Sequence, residues 1–326
     1  MAHVTIQLNL ISAVTYENRW VKISTIKPID GYDPNSQELP GPPYKSGFET
    51  ALNLKGDILA IASRLLVIDD GGNNVSSMVQ VYKQQDYTSD ESNEDKEWNQ
   101  LGKDILVSTV GNWTGKNLLS FNDDGILLAI GSCLVNSEVG QVQVLTLDSQ
   151  TSAWKLVGNL IPAGEQPGEH FGASVSLSAD GSTLAVGSPF YSDNSTNDVV
   201  EKIGRVTLWK SDSSSQTWTQ SKTIIGEAAD DESGTTVALS SQGGLLAVGA
   251  PSNDGESGKL NAGHVRLYKY ISDNNDWTQC GRDIDGDFVW ILVQLQSLFL
   301  KIGLQLVHLL IAAIMHPILN WIEGVT

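Results

Sequence analysis

Phe171-Gly172-Ala173-Ser174-Val175-Ser176-Leu177-Ser178-Ala179-Asp180-Gly181-Ser182-Thr183-Leu184-Ala185-Val186-Gly187-Ser188-Pro189 decides how this chain is read. Two short apolar runs flank the pair Asp180-Gly181. An Asp-Gly pair in that setting is a strong local signal for a β-hairpin. The segment then recurs. Ser233-Gly234-Thr235-Thr236-Val237-Ala238-Leu239 leads through Gln242-Gly243 to Leu246-Ala247-Val248-Gly249-Ala250-Pro251. Weaker copies run from Leu118 to Gly131 around Asp124-Gly125, and from Thr50 to Ala62 around Gly56. Self-similarity at a period of about sixty residues points to a repeat architecture.

Each copy is followed by a stretch that alternates apolar and polar residues. These are Val79-Gln80-Val81-Tyr82, Val142-Gln143-Val144-Leu145, Arg205-Val206-Thr207-Leu208-Trp209 and His264-Val265-Arg266-Leu267-Tyr268. A period of two is what a half-buried strand needs. A fourth strand opens at Trp98, Trp154, Trp218 and Trp277. Four antiparallel strands per repeat, with no helical periodicity between them, predict an all-β fold, a β-propeller of four-stranded antiparallel blades. The expected blades are residues 48–110, 116–162, 171–227 and 233–287. Residues 1–31 read as the second half of a further blade. There His3-Val4-Thr5-Ile6, Trp20 and Ile29-Asp30-Gly31 parallel His264-Val265-Arg266-Leu267, Trp277 and Ile284-Asp285-Gly286. A Trp at a fixed place in every repeat is expected to pack between blades rather than to stack on a ligand.

Phe171-Gly172 and Gly249-Ala250-Pro251 make the chain resemble the FG-GAP repeats, with Gly187-Ser188-Pro189 a near match. That family is known from the propeller head of integrin α-subunits and from repeat-rich microbial and algal surface proteins. The resemblance covers residues 48–287 and implies a cell-surface or extracellular binding role. Integrin-type repeats often hold calcium in an Asp-rich loop between strands 1 and 2. Here that place is only Ala179-Asp180-Gly181 or Ser241-Gln242-Gly243, too poor in carboxylates to give Ca²⁺ its six to eight oxygens. No metal site is therefore assigned, and a cation could at most be loosely held.

The charge balance restricts partners. Lys and Arg number 20 against 38 Asp and Glu, a formal net charge of −18. A field of that sign repels phosphate backbones, so nucleic acid is excluded as a natural partner. Cys133 and Cys280 are the only cysteines and define neither a disulfide framework nor a metal motif. The start Met1-Ala2-His3-Val4-Thr5-Ile6 lacks the basic and apolar regions of a secretory signal.

In a propeller the strand 2–3 loops and the links between blades open on one face. In this sequence those segments are long, acidic and amide-rich, whereas the opposite face has tight turns. Asp193, Asn194 and Asp198 lie in the loop 189–203, Asp230 and Asp231 in the link 227–234, and Asn253 and Asp254 in the loop 251–262. The expected function is recognition of a protein or glycan through these seven residues, by a chain that is not an enzyme. A propeller enzyme acting on glycans, or a fragment of a larger repeat protein, are the alternatives. His170 beside Glu169 invites an acid–base reading but has no placed nucleophile, and no catalytic residue is assigned.

After Gly286-Asp287 the repeat gives way to an atypical apolar tail, residues 288–326. Its stretch 303–322 has the length of a membrane span, but Gln305, His308, His316 and Pro317 make it a poor one. Membrane association is expected only through this tail. Two other readings stay open: strands of a further blade completed by residues 1–31, or a shifted reading frame.

Overall fold

In the computed structural model, residues 44–67, 74–85, 98–108, 118–158, 161, 166–195, 198–212, 217–255 and 260–286 are described. The expectations for residues 1–31 and 288–326 lie outside them. The first sheet contains β1 (Tyr44–Leu52), β2 (Ile58–Val67) and β3 (Asn74–Gln84). Its fourth place is shared by β4 (Trp98–Gln100) and β5 (Ile105–Ser108), which pair with successive stretches of β3. The second sheet is β6 (Leu119–Phe121), β7 (Leu127–Ser132), β8 (Gln141–Asp148) and β9 (Ala153–Leu156). The third is β10 (Ser174–Leu177), β11 (Thr183–Ser188), β12 (Arg205–Asp212) and β13 (Thr217–Ile225). The fourth is β14 (Thr236–Leu239), β15 (Leu245–Ala250), β16 (His264–Ile271) and β17 (Asp276–Gln279), with β18 (Ile284–Asp285) completing the last place.

Every strand pairing is antiparallel, between strands that follow one another except for β3–β5 and β16–β18, and the first strands β1, β6, β10 and β14 stand side by side. Sheets joined along their innermost strands in this way are the blades of a β-propeller, four of them among the described residues.

One turn, made four times, sets the register. At the end of each first strand a short polar side chain reaches forward to the start of the second. Asn53 Oδ1 accepts from the Ile58 N–H at 3.0 Å and Asn122 Oδ1 from Leu127 at 2.9 Å. Ser178 Oγ accepts from Thr183 at 2.9 Å and Ser240 Oγ from Leu245 at 3.1 Å. The left-handed position inside each turn is a glycine, Gly56, Gly125, Gly181 or Gly243. Neighbouring blades then join at these turns, since Asp123 N–H donates to Ala179 O at 3.0 Å and Ala179 N–H to Ser241 O at 2.9 Å. Asp180 is consumed locally, accepting from Ser178 Oγ at 2.7 Å and from Ser182 N–H at 2.9 Å.

The second strands explain how blades stack. They read Leu59-Ala60-Ile61-Ala62, Leu128-Ala129-Ile130-Gly131, Leu184-Ala185-Val186-Gly187 and Leu246-Ala247-Val248-Gly249. Alternation puts the large residues on one face and the small ones on the other. In the third blade Ala185, Val206, Leu208 and Ile224 form a buried cluster with Val237, Leu239, Leu246, Val248 and Trp277 of the fourth. The second and third blades, and the first and second, repeat the arrangement. Trp154 also donates its indole N–H across a boundary to Leu101 O at 3.0 Å. Trp154, Trp218 and Trp277 thus pack between blades, whereas Trp98 packs against Leu59 and Ile61 of its own blade. Serine hydroxyls add a link. Ser120 Oγ accepts from Leu177 N–H and Ser176 Oγ from Leu239 N–H, both at 2.9 Å.

Three local features depart from the sequence reading. β1 begins at Tyr44, ahead of the expected blade start at residue 48. The fourth strand breaks in two where Trp98-Asn99-Gln100-Leu101-Gly102-Lys103-Asp104-Ile105 recurs as Trp277-Thr278-Gln279-Cys280-Gly281-Arg282-Asp283-Ile284. Between β7 and β8, Asn136, Ser137 and Glu138 follow one another with positive φ.

Glu49 carries a pH prediction. It sits at the register shift of β1, where burial pushes its carboxyl up to about 7 from 4.5. An acid raised in the folded state contributes stability fully below pH 4.5. That contribution is lost as pH rises through the folded value. Glu49→Gln is expected to change little near pH 4 and to raise stability above pH 7 by at most about 3 kcal/mol. Denaturant midpoints at the two pH values check it.

Candidate functional site

Long loops and inter-blade links are stitched together at one end of the blades. The segment before each third strand lies parallel to the segment that leads into the next blade. Bridges join Gly140 to Phe171 and Gly204 to Ser233. At the first boundary, the N–H groups of His170 and Phe171 donate to Glu138 O and Val139 O, both at 3.0 Å. At the second, Glu232 N–H donates to Lys202 O at 3.1 Å and Ser233 N–H to Ile203 O at 3.3 Å. The same four-residue contact is therefore built twice.

These contacts hold unusual backbone. Glu138, His170, Lys202, Asp230, Glu232 and Asn261 have φ of 64, 58, 46, 62, 55 and 52°. An L-residue with a Cβ pays roughly 1–2 kcal/mol there. In the first-to-second-strand turns of the opposite face, glycine fills the left-handed position each time. On the long-loop face Glu138, Lys202, Asp230 and Glu232 hold left-handed positions alongside glycines such as Gly140, Gly204 and Gly234.

The seven residues singled out from the sequence fall into two groups. Asp193 is half-buried and exchanges both backbone hydrogen bonds with Val200, at 2.9 and 3.0 Å. Its carboxylate accepts from Ser195 N–H at 2.9 Å, and that hydrogen bond holds it below the usual carboxylate range. Asn194, Asp198, Asp230 and Asp254 are exposed. Asp230 N–H donates to Glu201 O at 2.9 Å, and its carboxylate is 3.9 Å from Lys202 Nζ. Asp231 and Asn253 are buried and bonded to each other at 3.1 Å, with Ala228 N–H also donating to Asp231 at 3.0 Å. They tie the link 227–234 to the loop 251–262 rather than face solvent.

A buried ion pair escaped the sequence reading. Arg205 Nη2 lies 3.0 and 3.1 Å from the two carboxylate oxygens of Glu169, both side chains are nearly inaccessible, and the Tyr191 ring is 4.2 Å from the guanidinium. Glu169 thus points at Arg205 and not at His170. The His170 ring packs at a tilt of 51° against Phe190 with centroids 4.6 Å apart, and its Nε2 is 3.3 Å from Glu138 Oε2. The signal was present in the repeat, because Asp231 occupies the place of Glu169 in the next blade and is buried likewise.

Among the described residues, Glu227, His264 and Asp283 bring one ligand atom each within 4.8 Å of one another. A cation is already provided. Arg266 holds Asp283 through Nε at 3.0 and 3.1 Å and Nη2 at 2.8 Å, and its Nη2 also meets Glu227. Burial raises the Asp283 carboxyl, but Arg266 and His264 outweigh it and hold the group below the usual range. The first blade makes the same contact with neutral groups, Gln80 and Gln100 donating to Asp104 at 3.0 and 2.7 Å. The trio fits a strand-bulge staple better than a metal centre.

No family model and no curated protein matches the chain. Solved structures similar to it include a candidate 6-phosphogluconolactonase from Bacteroides fragilis, at 11% identity and a TM-score of 0.39, covering 73% of this chain and 84% of that one. An acylaminoacyl peptidase from Pyrococcus horikoshii gives 10% and 0.36, over 70% of this chain and 31% of its own. The β-propeller domain of the Trilobed protease from Pyrococcus furiosus gives 10% and 0.38, over 70% and 55%. Lactonase and peptidase neighbours correct the expectation that the chain is not an enzyme, since they are enzymes of similar fold. At these identities and TM-scores the likenesses transfer no activity, substrate or site residue. The fold rests on the sheets themselves.

Proposed function

We propose that the long-loop face of the second, third and fourth blades is a recognition surface for a protein or glycan partner. The observation that carries this reading is the set of charged left-handed residues at the blade boundaries. Glycine at those places would relieve strain, and strained positions of this kind cluster at binding sites. Exposed Asn194, Asp198, Asp230 and Asp254 surround them. The resemblance of Phe171-Gly172 and Gly249-Ala250-Pro251 to FG-GAP repeats supports a cell-surface setting.

The test separates stability from binding. Lys202→Gly and Glu232→Gly relieve about 1–2 kcal/mol of backbone strain each, against about 0.5–1 kcal/mol of added chain entropy. Both variants are expected to melt slightly higher than the parent protein. Both are also expected to lose affinity for whatever an array of oligosaccharides and peptides selects. Lower melting temperatures would remove the strain argument. Unchanged binding would remove the surface.

A further inference from the structure

Two of the most exposed apolar side chains among the described residues stand on this face. Val199 is 58% exposed and Leu260 is 76% exposed. They occupy the same part of the strand 2–3 loop in adjacent blades, just before the left-handed Lys202 and Asn261. Hydrogen bonds tie the loop segments that carry them to the link 227–234 and so to one another. Glu201 O accepts from Asp230 N–H at 2.9 Å, Asp231 accepts from Asn253 at 3.1 Å, and Asp254 accepts from Asn261 N–H at 2.9 Å. Asp198, Glu201, Asp230 and Asp254 are exposed on the same segments, with Lys202, 3.9 Å from Asp230, the cation among them.

Apolar anchors inside a polar rim are the anatomy of a protein interface. A glycan offers no aliphatic side chain to cover Val199 and Leu260. A second copy of this chain would bring another −18 charge against an acidic rim and be repelled. Resting on the reading of this face as a recognition surface, we propose that it docks a protein segment whose apolar side chains are flanked by Lys or Arg. The tips would bury against the partner's apolar residues, and the rim carboxylates would pair with its cations. Much of the attraction would act on the association rate and weaken with salt.

The test uses the full chain and a synthetic amphipathic Lys/Leu peptide as probe, with oligolysine of equal charge as comparison. The Lys/Leu peptide is expected to bind at least about tenfold more tightly than oligolysine, a difference of about 1.4 kcal/mol. Val199→Asp with Leu260→Asp is expected to erase that difference. Leu106→Asp, at a residue 69% exposed on β5, is expected to leave it intact. Equal binding of the two peptides, no binding at low salt, or an equal loss from Leu106→Asp overturns the proposal. If binding survives the tip variants but fails in Glu232→Gly, the apolar anchoring is wrong and the face stands. If neither set matters, both are wrong.

Discussion

Gly187→Ala is expected to lower the melting temperature by roughly 10 °C. A Cβ at Gly187 would lie 2.0 Å from Gly234 O and 2.3 Å from Ser174 Oγ. Gly234 O belongs to the next blade and accepts from Ser174 Oγ at 2.8 Å, so the methyl group meets backbone already committed to a contact. Overpacking costs about 1–3 kcal/mol where side chains can yield, and more where backbone cannot. About 3 kcal/mol is a shift of roughly 6–12 °C for a domain of this size. Gly131 faces Gly172 O at 2.0 Å in the preceding blade, so Gly131→Ala is expected to behave alike. Gly244→Ala is the control, because its Cβ meets nothing within 4 Å. Scanning calorimetry of the three variants decides. A Gly187→Ala shift no larger than that of Gly244→Ala would mean the blades do not approach this closely.

Arg205→Ala is expected to destabilise the fold by about 3–5 kcal/mol, the usual cost of stranding a buried charge. The cause is what remains. The Glu169 side chain is 0% exposed, and it would keep its negative charge or take up a proton at a free-energy cost. Tyr191 would also lose the guanidinium 4.2 Å from its ring. Arg205→Met combined with Glu169→Gln removes both charges and is expected to recover most of the loss. A double-mutant cycle in denaturant measures the coupling. Additive effects of the two changes would contradict the pairing.

Much of this architecture was legible because it is periodic. The Asp-Gly and Gly-Gly turns, the Leu-Ala-Val-Gly strands and the recurrent Trp report local geometry that a repeat prints several times over. Asn53, Asn122, Ser178 and Ser240 could have been read as one turn position, since each stands five residues before the next strand. The site was legible only as a region. Glu169 and Arg205 are thirty-six residues apart, and their pairing depends on how a link folds back over a third strand. Composition grouped Asp231 and Asn253 with Asp230 and Asp254, yet a single hydrogen bond takes the first two inside. Left-handed backbone at Glu138 and Lys202 has no residue signature, because glycine and asparagine, the usual markers, are absent there. What does mark it is the spacing to the next glycine in Glu138-Val139-Gly140 and Lys202-Ile203-Gly204.

The most direct test of the functional face is amide hydrogen exchange of the full chain with and without the Lys/Leu peptide. The account predicts added protection in residues 198–204, 227–234 and 260–263, and none at the turns holding Gly56, Gly125, Gly181 and Gly243. Protection at those turns instead, or none anywhere at peptide saturation, would contradict it.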